Sequence, residues 1–186
     1  MAKETAEGSA GPAGRMSREA LFWGLVAAGV AIDQASKLAV FAALGPAGGS
    51  PQGTAVIPGF FFLTPRLNPG MAWSLFAGLG SAQPALLALL NVAITGAVIW
   101  YRRTTRVVSG RPVFDTGLGL VLAGAIGNLI DRLHPPFRVM DFLHFRFWTW
   151  DYPVFNVADI YIVAGVAVFM YWGWRLERRP GAGAEA

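Results

Sequence analysis

Four stretches of this chain are each long and apolar enough to cross a lipid bilayer, and they limit its possible folds more than any motif does. A spanning helix needs about 20 apolar residues at about 1.5 Å rise each. The stretches run over about 21–44, 82–101, 116–133 and 154–174. Inside hydrocarbon every backbone N–H and C=O must find a partner within the protein, so such segments are helices. Composition agrees: of 186 residues, 54% are hydrophobic and only 14% charged, where a soluble domain carries about 25%. The fold class expected is an all-α membrane protein of four transmembrane helices, a single integral domain over 1–186 with disordered cytoplasmic tails at 1–19 and 176–186. The first stretch fits a cleavable signal peptide poorly, because it is long and holds Asp33 and Lys37, where such a region is short and uncharged.

The net charge of +4 is explained by where the basic residues fall. Lys3, Arg15 and Arg18 precede the first stretch, Arg102, Arg103, Arg106 and Arg111 fill the second connection, and Arg175, Arg178 and Arg179 follow the last; these are ten of the 15. By the positive-inside rule both termini and the second connection are cytoplasmic, and the first and third connections face outward. No basic stripe interleaved with stacking aromatics lies outside the apolar stretches, so nucleic acid is not an expected partner. Cysteine is absent, which excludes thiolate metal sites and disulfide scaffolds. His134 and His144 lack helical ligand spacing, so no metal site and no cofactor are expected.

The outward connections are unlike ordinary polar loops. Residues 57–64 (Ile-Pro-Gly-Phe-Phe-Phe-Leu-Thr) are apolar and too short to span, which reads as strand or interfacial structure. Over 142–150, Leu143, Phe145 and Phe147 alternate with His144, Arg146 and Trp148, the period of a half-buried strand. A small extracytoplasmic β-sheet is expected on the outer membrane surface, its aromatic side toward the lipid headgroups, with Asp141 directly before its strand.

Ionisable groups at membrane depth cost a few kcal/mol each, so every one is a candidate functional residue. The topology puts Asp33 near mid-membrane and Lys37 one turn further out. Asn128, Asp131 and Arg132 fall at the outer end of the third stretch, and Asn156 and Asp159 in the first turns of the fourth. Each also has a plainer reading. Asp33 and Lys37 are spaced for an internal ion pair, Arg132 can snorkel to lipid phosphates, Asn156 suits an N-cap and Asn68 a turn before Pro69-Gly70. Asp141 and Asp159 differ, because apart from Arg138, three residues before Asp141 in an expected loop, neither has a basic residue at helix-pair spacing, and both converge on the outer boundary. Two carboxylates close together in a poorly hydrated site share a proton, and such a pair activates water as in aspartic proteases. A proton or ion relay is the alternative from these residues alone.

Five blocks in order then match a known family. They are Asp33-Gln34-Ala35-Ser36-Lys37, Asn68-Pro69-Gly70-Met71-Ala72-Trp73-Ser74, Gly124-Ala125-Ile126-Gly127-Asn128-Leu129-Ile130-Asp131-Arg132, Val139-Met140-Asp141-Phe142 and Phe155-Asn156-Val157-Ala158-Asp159. Over about residues 21–174 the chain resembles the lipoprotein signal peptidases (signal peptidase II), four-span aspartyl peptidases of bacterial inner membranes. Met71 and Trp73 depart from the small residue and phenylalanine usual there, which bears on pocket shape. The resemblance implies Asp141 and Asp159 as the catalytic dyad. It implies Asn68, Gly70, Asn128, Arg132 and Asn156 as substrate-binding or site-supporting residues, and Asp33, Lys37 and Asp131 as structural. It also implies a β-cradle formed by the outward connections. The implied substrate is a prolipoprotein with a diacylglyceryl-modified cysteine, cut on the amino side of that cysteine at the outer leaflet. The implied enzyme is a monomer surrounded by membrane phospholipids. A transporter or relay subunit is the competing class, but the second stretch has no ionisable group and the polar residues stop near the outer leaflet.

Overall fold

A computed structural model describes residues 12–46, 53–70, 83–104 and 112–177. Four helices, α1 (Pro12–Leu44), α2 (Gln83–Thr104), α3 (Pro112–Leu133) and α4 (Val157–Glu177), form an antiparallel bundle. Each is long and apolar enough to cross a membrane. The strands β1 (Thr54–Ile57), β2 (Phe61–Asn68), β3 (Val139–Phe147) and β4 (Trp150–Asp151) make one antiparallel sheet in the order β1-β2-β3-β4.

The central helix is α3, which packs against α1, α2 and α4. Its composition explains this place. Small residues let helix backbones approach where lipid offers no hydrophobic drive for association, and Gly117 and Gly124 of α3 face Gly165 and Ala158 of α4 at backbone contact. At one end of the bundle, Phe22, Val26, Phe114, Leu118 and Leu122 form a buried cluster. Arg102 closes that end. Its guanidinium lies 3.8 Å over the Phe22 ring and pairs with Glu19 of α1 (2.9 Å) and Asp115 of α3 (3.1 Å). The sheet stands at the opposite end.

Several boundaries differ from the expected ones. Pro12–Glu19 is not a tail but the opening turns of α1, and Leu176 and Glu177 continue α4; the rest of both tails lies outside the described residues, as do Met71 and Trp73. The apolar run 57–64, expected as strand or interfacial structure, holds the turn of a hairpin, because Pro58-Gly59-Phe60 turns the chain between β1 and β2. Val154 and Phe155 are extended, since Phe155 exchanges backbone hydrogen bonds with Leu143 (2.8 and 3.0 Å) before α4 begins. Asp141 lies within β3, opposite Arg66, rather than before the strand. Between Leu63 and Arg66 the β2 register slips by one residue. Pro65, which has no N–H to give a ladder, falls in that bulge.

The close approach of α3 and α4 is testable. A Cβ at Gly124 would strike the Ala158 carbonyl and the Ile162 side chain. Gly124→Val is expected to destabilise the fold by about 2–3 kcal/mol, read as a lowered midpoint of thermal unfolding in detergent.

Candidate active site

Asp159 owes its place to the start of α4. Asn156 is the N-cap: its Oδ1 accepts the Asp159 N–H (3.1 Å), and Asp159 Oδ2 in return accepts the Asn156 N–H (3.2 Å). This reciprocal arrangement is a capping box, which fixes both side chains against the first turn. The expected N-cap is therefore present, and it does more than cap. The Asn156 side-chain amide Nδ2, fully buried, donates to Asp141 Oδ1 (2.6 Å) and to Asn128 Oδ1 (3.1 Å).

Asp141 arrives from β3. Its second oxygen accepts from Asn68 Nδ2 (2.8 Å), while Asn68 Oδ1 accepts the Gly70 N–H (2.7 Å). Asn68 thus forms the expected turn and holds a carboxylate with the other end of the same amide. Gly70 has φ +96°, and a Cβ there would collide with Leu87 of α2, so the turn admits only glycine. Asn128 of α3 completes the set by donating Nδ2 to Asp159 Oδ1 (2.9 Å). Each carboxylate accepts a hydrogen bond on both oxygens, and three asparagines supply the side-chain donors.

Asp141, Asp159, Asn68, Gly70, Asn128 and Arg132 all line one cavity of about 1270 Å³. Its wall continues along α4 through Ile160, Val163, Ala164 and Ala167, an apolar stripe at helical spacing, with Leu87 across it on α2. Burial and the charge of Asp159 push the Asp141 carboxyl up to about 7, against the hydrogen bonds from Asn68 and Asn156 and the charge of Lys37. Arg132 donates to the Asn128 carbonyl (3.2 Å) and turns toward the cavity.

Behind the cavity, Asp33, Lys37 and Asp131 are buried together. Lys37 Nζ lies 2.7 Å from Asp33 Oδ2 and 2.7 Å from Asp131 Oδ2. The ion pair expected from spacing exists, and Asp131 is its buried second acid. Asp33 Oδ1 also accepts the Ala158 N–H (2.8 Å). Sequence reasoning assigned no role to Gln34, whose Nε2 is 3.0 Å from Asp131 Oδ1 and 3.1 Å from both Asp33 Oδ2 and the Gly127 carbonyl. Its place directly after Asp33 in the first block was the available signal. Arg66, Tyr152 and Phe155 of the cavity rim were equally unforeseen. His144 is not among the residues that line the cavity, and its Nδ1 is 3.1 Å from Thr64 Oγ1.

Residues 25–175 match the family described as Signal peptidase (SPase) II. The chain is 35% identical over 153 residues to a lipoprotein signal peptidase of Neisseria meningitidis serogroup C, covering 82% of this chain and 88% of the relative. It is 39% identical over 147 residues to one from Desulforapulum autotrophicum, covering 76% and 84%. Two solved structures, each described as a bacterial membrane enzyme, share the fold. One has a TM-score of 0.69 at 25% identity over 86% of this chain and 90% of the other, and the second 0.68 at 26% over 82% and 92%.

The raised carboxyl ties stability to pH. Asp141 binds its proton more tightly folded than unfolded, where 3.8 applies. Its stabilising contribution is therefore complete below about pH 4 and lost as pH rises through about 7. The unfolding midpoint is expected to fall between about pH 4 and about pH 7, and Asp141→Asn to flatten that slope; thermal unfolding across the range measures both.

Proposed function

Because the chain belongs to the signal peptidase II family, we propose that it is an aspartic endopeptidase that removes signal peptides from diacylglyceryl-modified prolipoproteins, with Asp141 and Asp159 as its catalytic dyad. One observation carries this reading. Two carboxylates from different elements, each held by amide donors on both oxygens, meet in a cavity with one apolar wall.

The chemistry follows from that arrangement. Asp141, titrating near neutrality, holds the shared proton and polarises the scissile carbonyl. Asp159 takes a proton from a water as its oxygen attacks the carbonyl carbon. The dyad then returns a proton to the departing amine, and the C–N bond breaks. The products are a signal peptide ending in a carboxylate and a lipidated cysteine with a free α-amino group. The Ile160–Ala167 stripe is where the signal peptide lies, entering from the membrane between α2 and α4. Acyl chains keep the cysteine at the outer leaflet, so the amide meets the dyad already oriented and the entropic barrier falls. Asn68 and Arg132 hold peptide carbonyls so that the substrate is extended at the cut. A site at the interface also meets the need for water, which the bilayer centre cannot supply.

The same reading sets the orientation: both termini cytoplasmic, the sheet on the outer face, and the exposed rings of Phe147, Trp148 and Trp150 at headgroup level, where aromatic side chains are favoured. The enzyme acts as a monomer among phospholipids and uses no cofactor.

Cleavage of a lipidated prolipoprotein by purified protein tests the assignment. Asp141→Asn and Asp159→Asn are each expected to lose at least about a hundredfold in kcat; near-normal turnover by either folded variant would overturn the dyad. Arg132→Lys separates two roles for that side chain. A sharp loss of kcat/KM is expected if the guanidinium binds the peptide through its fork of donors, and little change if it only reaches lipid.

A further inference from the structure

The mechanism leaves a buried cation unused. Lys37 is 0% exposed, and its ammonium has three acceptors: Asp33 Oδ2 and Asp131 Oδ2, each at 2.7 Å, and Asn128 Oδ1 at 3.1 Å. An ion pair that merely stabilised α1 would need the first contact alone. The third reaches the dyad. An ammonium only donates, so Asn128 must present its oxygen to Lys37, and Nδ2 is thereby turned toward Asp159 Oδ1. The same Asn128 oxygen accepts from Asn156 Nδ2, which donates to Asp141 Oδ1. A second route runs through Asp33, whose other oxygen holds the Ala158 N–H in the turn that carries Asp159.

Resting on the dyad reading above, we propose that Lys37 is a positioning residue of the reaction, its ammonium orienting both carboxylates through Asn128 and holding a positive charge behind them without touching substrate. Hydrogen bonds in such a chain polarise one another in a low-dielectric interior, so the amide of Asn128 donates more strongly because its oxygen accepts from a cation. The cation also favours the ionised member of the pair, and its charge draws Asp141 down against the effect of burial. The groups around it are Asp33 of α1 and Asn128 and Asp131 of α3. Beyond them stand Arg132 of α3, Asp141 of β3 and Asp159 of α4, with Tyr161 of α4 within reach of the Asp33 charge.

The experiment uses the full chain in detergent with a lipidated prolipoprotein, comparing Lys37→Met, Lys37→Arg and the double variant Lys37→Met/Asp131→Asn across pH. Lys37→Met is expected to lower kcat about thirtyfold with KM within about twofold, and to move the acid limb of the kcat profile up by about one pH unit. Lys37→Arg should restore the limb, because it restores the charge. A purely structural lysine would lower the unfolding midpoint while leaving the limb in place. The double variant removes the carboxylate that Lys37→Met strands beside Asp33. Because its two charge changes oppose each other, it is read by kcat and not by the limb if the single variant does not fold. A loss of about thirtyfold at near-constant KM is then expected, and near-normal kcat overturns the proposal. If neither folds, Asp131→Asn decides: relieved of one anion, Lys37 should move the limb to lower pH. An unmoved limb in folded Lys37→Met or Asp131→Asn overturns the proposal. That outcome with inactive Asp141→Asn and Asp159→Asn removes only the role of Lys37, whereas active dyad variants remove the catalytic reading itself.

Discussion

The amide of Asn156 is the contact on which the rest of the site depends. With its oxygen it starts α4, and with its nitrogen it holds a carboxylate that belongs to a different element. A helix start offers unpaired N–H groups that must be satisfied, and this chain satisfies them with residues in and behind its candidate site. Asp159 belongs to the capping box and Asp33 takes the N–H of Ala158. Moving α4 therefore moves the chemistry, and the two carboxylates cannot drift apart without uncapping a helix.

Burying this much polarity in a membrane protein is costly unless each group is paired. The solution is a continuous network. Lys37 lies between two acids, Gln34 bridges them, and Asn128 passes the last ammonium contact on to the cavity. Because the network spans α1, α3 and α4 and touches β3 through the Met140 N–H on Asp131, it registers helices against one another where apolar packing alone would leave them free to slide. The small residues of α3 serve the same end by letting α4 approach to backbone contact.

Much of this was legible in the amino acids, for local reasons. Length and hydropathy mark the four spans because bilayer thickness is a one-dimensional constraint. The Asp33–Lys37 pair is a matter of helical spacing, and the N-cap role of Asn156 is readable from the residue type before an apolar run. The alternation in 142–150 identified a strand, though its true start at Val139 was hidden because Asp141 and Phe142 are buried in succession, which breaks the period of two. The hairpin in 57–64 was hidden by its own apolarity, since Pro58-Gly59 punctuates a run that reads as continuous.

What the sequence by itself determined was the set of helices, their alternation, and the gathering of awkward polar residues toward one end. What only the tertiary structure decided was which of them touch. Asp131 could have ended at an interface, and instead completes a buried ion triad with Lys37 and Asp33. Asn68, a turn former by type, turned its side-chain nitrogen onto Asp141. Hydrogen-bond partners from segments 28, 73 or 91 residues apart leave no local signature, because an asparagine satisfied by its neighbour and one satisfied across the fold are the same letter. The pairing is set by how closely α3 lets α1 and α4 approach, and that distance exists only once the bundle has packed.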